Sequence, residues 1–115
     1  MERYRATARQ RAALQQQAME ARRQAAWGVA RRAAALLKGD YGASRVALFG
    51  SLARHEPLSA HSDVDLVVWG LDERLYYRAV AQLLDLDPSI TVDLLCAETL
   101  STDFLSMVET IGVAL

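Results

Sequence analysis

A glycine and a serine close a short apolar run, Val46-Ala47-Leu48-Phe49-Gly50-Ser51. After eleven intervening residues comes Asp63-Val64-Asp65-Leu66-Val67-Val68. No other feature restricts the fold of this chain as much. The first run reads as a buried strand over Arg45–Phe49 and the second as a strand over Asp63–Trp69, each bounded by turn residues. Side chains alternate along a strand, so the spacing places Asp63 and Asp65 on one face. Two close carboxylates repel and raise each other's pKa. A divalent cation removes that repulsion, and carboxylate oxygens with waters and phosphate oxygens suit Mg²⁺. Asp93 lies in a third run, Ile90–Cys96, between Val92 and Leu94. If this strand neighbours the second, Asp93 joins the acidic pair. Three carboxylates hold two metal ions, which clamp the attacking and leaving oxygens of a phosphoryl transfer.

Gly50 and Ser51 suggest what faces those carboxylates. A glycine after a strand lets backbone N–H groups approach a phosphate closely. A helical turn starting there adds positive dipole, and the Ser51 hydroxyl can donate to a phosphate oxygen. Arg54, one turn on, adds charge for a triphosphate. The pattern therefore pairs an anion cradle with metal-binding carboxylates, as a nucleoside triphosphate requires. His55 and His61 fall in the polar loop 55–62 and read as ordinary loop histidines. Cys96, Trp27, Trp69 and Tyr76 read as core or packing residues.

The rest of the chain reads as support. Residues 2–37 are rich in Ala, Arg, Gln and Glu, which propagate helices well. As one helix they would extend roughly 50 Å at 1.5 Å per residue, more than a small domain can cover. Gly28, which costs about 1 kcal/mol against Ala in a helix interior, marks an expected kink or break. An apolar stripe begins at Trp27 and continues through Ala30, Ala34 and Leu37. Residues 1–26 are thus expected as a basic helical extension and 27–115 as the domain. A further helix is expected from an Asp72 cap to Asp87-Pro88, with Leu75, Ala79 and Leu83 beside Tyr76, Val80 and Leu84. Ser101 or Thr102 caps a last helix that ends at Gly112. The order α-β-(α)-β-α-β-α predicts an α/β (α+β) fold, a small mixed sheet flanked by helices with a long N-terminal helix.

Charge divides the chain. Residues 1–38 hold nine Arg or Lys and two Glu, net +7; residues 39–115 hold four Arg and twelve Asp or Glu, net -8. A basic segment on an acidic body points to an acidic surface or a polyanion facing the segment, with a well-solvated Arg-rich helix as the alternative. The acidic body argues against nucleic acid as a direct ligand. The longest unbroken apolar run is Ala33–Leu37, so no membrane span is expected. Met1 is followed by no apolar h-region, and the Arg-rich start lacks the serines of a transit peptide. A lone cysteine fits a reducing, cytoplasmic setting.

Leu48-Phe49-Gly50-Ser51-x-Ala53-Arg54, then Ser62-Asp63-x-Asp65-Leu66, closely resembles the signature of the polymerase-β-like nucleotidyltransferase superfamily. The length resembles its minimal nucleotidyltransferase (MNT) members. The likeness runs from about residue 27 to the end and includes Val92-Asp93-Leu94. It implies transfer of a nucleoside monophosphate from ATP with Mg²⁺, two ions being expected, and release of pyrophosphate. By resemblance Gly50, Ser51 and Arg54 bind the triphosphate, Asp63 and Asp65 hold the metals, and Asp93 is third ligand and general base. His55 departs from the family, which usually has glycine there, and the gap before Asp63 is one residue longer than in many minimal members. MNT proteins are commonly paired with HEPN-domain ribonuclease toxins. The resemblance therefore implies an antitoxin that adds AMP to a tyrosine of a HEPN partner. Neutralisation by binding alone is the alternative.

Overall fold

The computed structural model describes residues 2–56, 58 and 62–115, and the side chains of all of these except 2–6. His61 lies outside the described residues. The chain begins with one helix, α1 (Glu2–Gly39), unbroken at Gly28. A β-carbon at residue 28 would meet nothing within 4 Å, so this glycine serves no close packing. Strong helix formers on both sides carry the helix through it. Lys38, in the last turn, donates to the Leu115 carbonyl and ties the two ends of the domain together.

The buried stripe of α1 comprises Ala26, Val29, Ala30, Ala33, Ala34 and Leu37, at the spacing that keeps one helical face against a sheet. From Thr7 through Arg22 every side chain is exposed. The molecule measures 61 × 30 × 19 Å, with a radius of gyration of 17.0 Å. A compact chain of this length would have about 13 Å. The difference is the projecting N-terminal half of α1, whose exposed Leu14 and Met19 have no core to join.

The sheet consists of β1 (Arg45–Phe49), β2 (Val64–Trp69), β3 (Val92–Cys96) and β4 (Val113–Ala114), in the order β3-β2-β1-β4. β1 runs antiparallel to β2 and β4, and β2 runs parallel to β3. The short helix α2 (Gly50–Ala53) follows β1 directly. Helix α3 (Tyr76–Leu86), entered through a 3₁₀ turn at Glu73–Leu75, connects β2 to β3. Helix α4 (Thr102–Ile111) precedes β4. Val46, Leu48, Val64, Leu66 and Val68 point to the α1 and α3 side. Ala47 and Val67 point the other way, to Val108 of α4 and to Ala97. Each fully buried Leu or Val here contributes roughly 1.5–3 kcal/mol.

Several boundaries differ from expectation. β2 begins at Val64, so Asp63 stands just outside it. Asp72 caps the 3₁₀ turn rather than α3, accepting from the Arg74 N–H at 3.0 Å. Leu84 of α3 is 44% exposed and leaves the apolar face, while Ala79 and Leu83 are buried. Ser101, not Thr102, caps α4, accepting from the Phe104 N–H at 3.1 Å. β4 was not expected, since two residues carry no periodicity. It forms because Gly112 lets the chain leave α4 closely: a β-carbon there would overlap the Val108 carbonyl and sit 3.0 Å from that of Leu48.

Candidate active site

The expected site residues gather where β1 ends and β2 and β3 begin. The pairing register sets Phe49 against Asp65 and Asp65 against Asp93. Residues paired in register share a face, so Asp65 and Asp93 both lie on the α4 side of the sheet. Phe49 meets Phe104 of α4 edge-to-face at 5.4 Å, which closes the apolar floor beside them.

Asp65 fits under the turn at Gly50, whose φ is +78°. A β-carbon on Gly50 would fall 2.5 Å from Asp65 Oδ2 and 3.2 Å from its Cγ. Glycine is required twice here, by the left-handed backbone and by the carboxylate against it. Ser62 Oγ donates to the other oxygen, Oδ1. Burial pushes the Asp65 carboxyl above its ordinary 3.8; the Ser62 bond opposes this, and the charges of Asp93 and Asp63 add to the rise. Asp93 itself is exposed. A carboxylate pair with one member pushed upward invites a cation or a proton.

Asp63 takes part differently. It is 2% exposed, the one buried charged residue among those described. Arg22 of α1 grips it side-on: Nε and Nη2 donate to Oδ1 at 3.3 and 3.0 Å, and Nη2 to Oδ2 at 2.9 Å. The Thr91 backbone N–H and hydroxyl donate to Oδ2 at 3.0 and 3.2 Å. The Asp63 N–H in turn donates to Thr91 Oγ1 at 2.9 Å. Asp63 lies just before β2, where Thr91 and Arg22 hold its carboxylate, and its charge still acts on Asp65.

Ser51 is half-buried and Arg54 half-exposed. Arg54 pairs loosely with Glu56 at 3.8 Å. His55 adopts φ +58°, a left-handed conformation that glycine takes freely and histidine takes more readily than most residues. This explains how histidine occupies a position the superfamily usually gives to glycine. Arg23 secures the turn: Nη1 donates to the Glu56 carbonyl at 2.6 Å and Nη2 to the Leu52 carbonyl at 3.3 Å. Arg23 Nη2 also lies 3.3 Å from His55 Nδ1. A cleft of about 600 Å³ opens between α1 and this turn, lined by Gln16, Met19, Arg22, Arg23, His55 and Asp63 among others. Arg22, Arg23 and Thr91 were not singled out in the sequence. An arginine 41 residues from its partner aspartate leaves no local pattern.

The donor set suits Mg²⁺ at Asp65 and Asp93, hard oxygens whose mutual repulsion an ion would relieve. Among the described residues no three His, Cys, Asp or Glu side chains stand together closely enough to hold a metal ion. Among the described residues, no helix is long and apolar enough to cross a membrane.

The family model described as "Nucleotidyltransferase domain" matches residues 31–111. No curated protein matches the chain. Among solved structures, a chain of a toxin-antitoxin crystallised with AMP-PNP is similar with TM-score 0.58 and 24% identity, over 72% of this chain and 69% of that one. Two chains from mutants of the toxin-antitoxin MntA-HpeT are also similar. One gives TM-score 0.54 and 26% identity over 70% of this chain and 64% of that one. The other gives 0.55 and 23% over 68% and 65%. This chain thus spans about two thirds of the length of each.

Proposed function

This chain belongs to the nucleotidyltransferase domain family, and from that premise we propose that it is an MNT-type antitoxin that transfers AMP from ATP to a tyrosine hydroxyl of a HEPN ribonuclease toxin. The observation that carries this reading is the register of β2 and β3, which sets Asp93 beside Asp65 directly under the Gly50 turn. Similarity to a chain of the MntA-HpeT toxin-antitoxin supports the assignment to such a pair.

In this reading the Gly50-Ser51 turn receives the phosphates, with its backbone N–H groups and the Ser51 hydroxyl as donors and Arg54 as a supporting charge. When bound, Mg²⁺ neutralises the triphosphate and polarises the α-phosphorus. Asp65 and Asp93 would hold it, with Asp63 once Arg22 withdraws. Asp93, exposed at the site's edge, accepts the proton of the incoming tyrosine hydroxyl. The tyrosine oxygen forms its bond to the α-phosphorus as the bond to the bridging oxygen breaks, and pyrophosphate leaves. The toxin partner brings the acceptor hydroxyl.

Incubation of the toxin with the chain, ATP and Mg²⁺, followed by intact mass measurement, tests this. Addition of one or more AMP groups by wild type, and none by Asp65→Asn, is expected. An unmodified toxin contradicts it. One observation favours a second reading, neutralisation by binding alone: both Asp63 oxygens are already taken by Arg22 and Thr91. Toxin inhibition that survives Asp63→Asn/Asp65→Asn together would select that reading.

A further inference from the structure

Asp63 accepts every hydrogen bond its carboxylate can readily take, yet it occupies a metal-ligand position in the function proposed above. Five donor contacts within 3.3 Å surround its two oxygens. A cation can reach a carboxylate so enclosed only if one partner leaves. The way each partner is attached shows which one that is. The Asp63 side chain is 1% exposed and that of Arg22 54%. Thr91, itself exposed, holds Asp63 through its backbone N–H as well as its hydroxyl, and a backbone N–H fixed at the entry to β3 cannot swing away. Arg22 holds it only by the end of a long, flexible side chain.

We propose that Arg22 is a built-in stand-in for the cation at Asp63: helix α1 keeps the first carboxylate of the site closed until a divalent ion displaces the guanidinium. A side-on guanidinium supplies positive charge and directional donors to a carboxylate, which an ion replaces with charge alone. Arg22 is placed to leave. It lies one turn before Ala26, the first buried residue of the α1 stripe, so the core does not hold it. It borders the 600 Å³ cleft, which leaves room for its side chain. Neighbouring Arg23, bonded to the Leu52 and Glu56 carbonyls, keeps α1 in place when Arg22 swings away. The inference rests on the reading of Asp63 as a ligand and adds a consequence: ion binding competes with a contact made by the N-terminal helix.

The test is Mn²⁺ binding to the full chain without nucleotide, followed by calorimetry or by the electron paramagnetic resonance signal of free Mn²⁺. Arg22→Gln, which removes the charge and keeps much of the side chain, should bind Mn²⁺ about tenfold more tightly than wild type. Adding Asp63→Asn should abolish that gain. Equal affinity in wild type and Arg22→Gln, a gain that survives Asp63→Asn, or no Mn²⁺ binding in either protein would overturn the proposal and leave Arg22 a permanent structural partner. If Arg22→Gln does not fold, the wild-type Arg22 Nε–H resonance serves instead. It should move on Mg²⁺ addition, and an unmoved resonance at saturation overturns the proposal. AMP transfer is not read. Failure of transfer beside the predicted Mn²⁺ pattern would remove the function and leave this inference, and the converse result would do the opposite.

Discussion

At the scale of single residues, Gly50 has the least freedom. Its φ of +78° and the Asp65 carboxylate against it both exclude a β-carbon. Gly50→Ala should destabilise the fold by about 1–2 kcal/mol, the cost of a left-handed non-glycine residue. It should lower AMP transfer far more, because Asp65 must shift. Urea unfolding with a transfer assay checks this; wild-type transfer would contradict it. Asp65 yields a pH prediction. Burial holds its folded pKa above the ordinary 3.8. The folded chain therefore retains a proton that the unfolded chain releases, and this contribution to stability declines as pH rises from 3.8 through the folded value. In metal-free buffer Asp65→Asn should gain stability relative to wild type as pH rises through that window. Parallel urea midpoints across about pH 4 to 7 measure it, and a constant difference would contradict it.

At the scale of elements, α1 has two parts. From Ala26 it is core; from Thr7 through Arg22 it is exposed. Deleting residues 1–21 should move the unfolding midpoint by less than about 4 °C, under 1 kcal/mol for a domain of this size. The same deletion should weaken binding to an acidic toxin surface, with the loss largest at low salt, since exposed charge is screened. Unchanged toxin affinity at low salt would contradict an acidic toxin surface as the counterpart of the basic segment. Most elements were legible in the sequence, because the helical stripe Ala30-Ala34-Leu37 and the apolar runs around Leu48 and Leu66 report burial directly. The continuity of α1 through Gly28 was not, because a single glycine weakens a helix by less than its long flanks support it. Nor was β4, which depends on where Gly112 lets the chain pass.

At the scale of the molecule, the long-range contacts were hidden even where the motif was plain. Gly50, Asp65 and Asp93 were readable because strand spacing and turn chemistry are local. The parallel pairing that brings Asp93 to Asp65 was conditional on strand order. The grip of Arg22 on Asp63 spans 41 residues and follows from the approach of α1 to the mouth of the sheet. The positive φ of His55, stabilised by Arg23, likewise has no sequence signature beyond a histidine where glycine is usual. The described residues thus present the candidate site at one end of a small sheet, bordered by a projecting basic helix. ATP labelled in either the α- or the γ-phosphate, offered with the toxin and Mg²⁺, examines the proposed chemistry most directly. Nucleotidyl transfer predicts that the α label alone becomes attached to the toxin, through wild type and not through Asp65→Asn. Attachment of the γ label, or equal α labelling by Asp65→Asn, would contradict it.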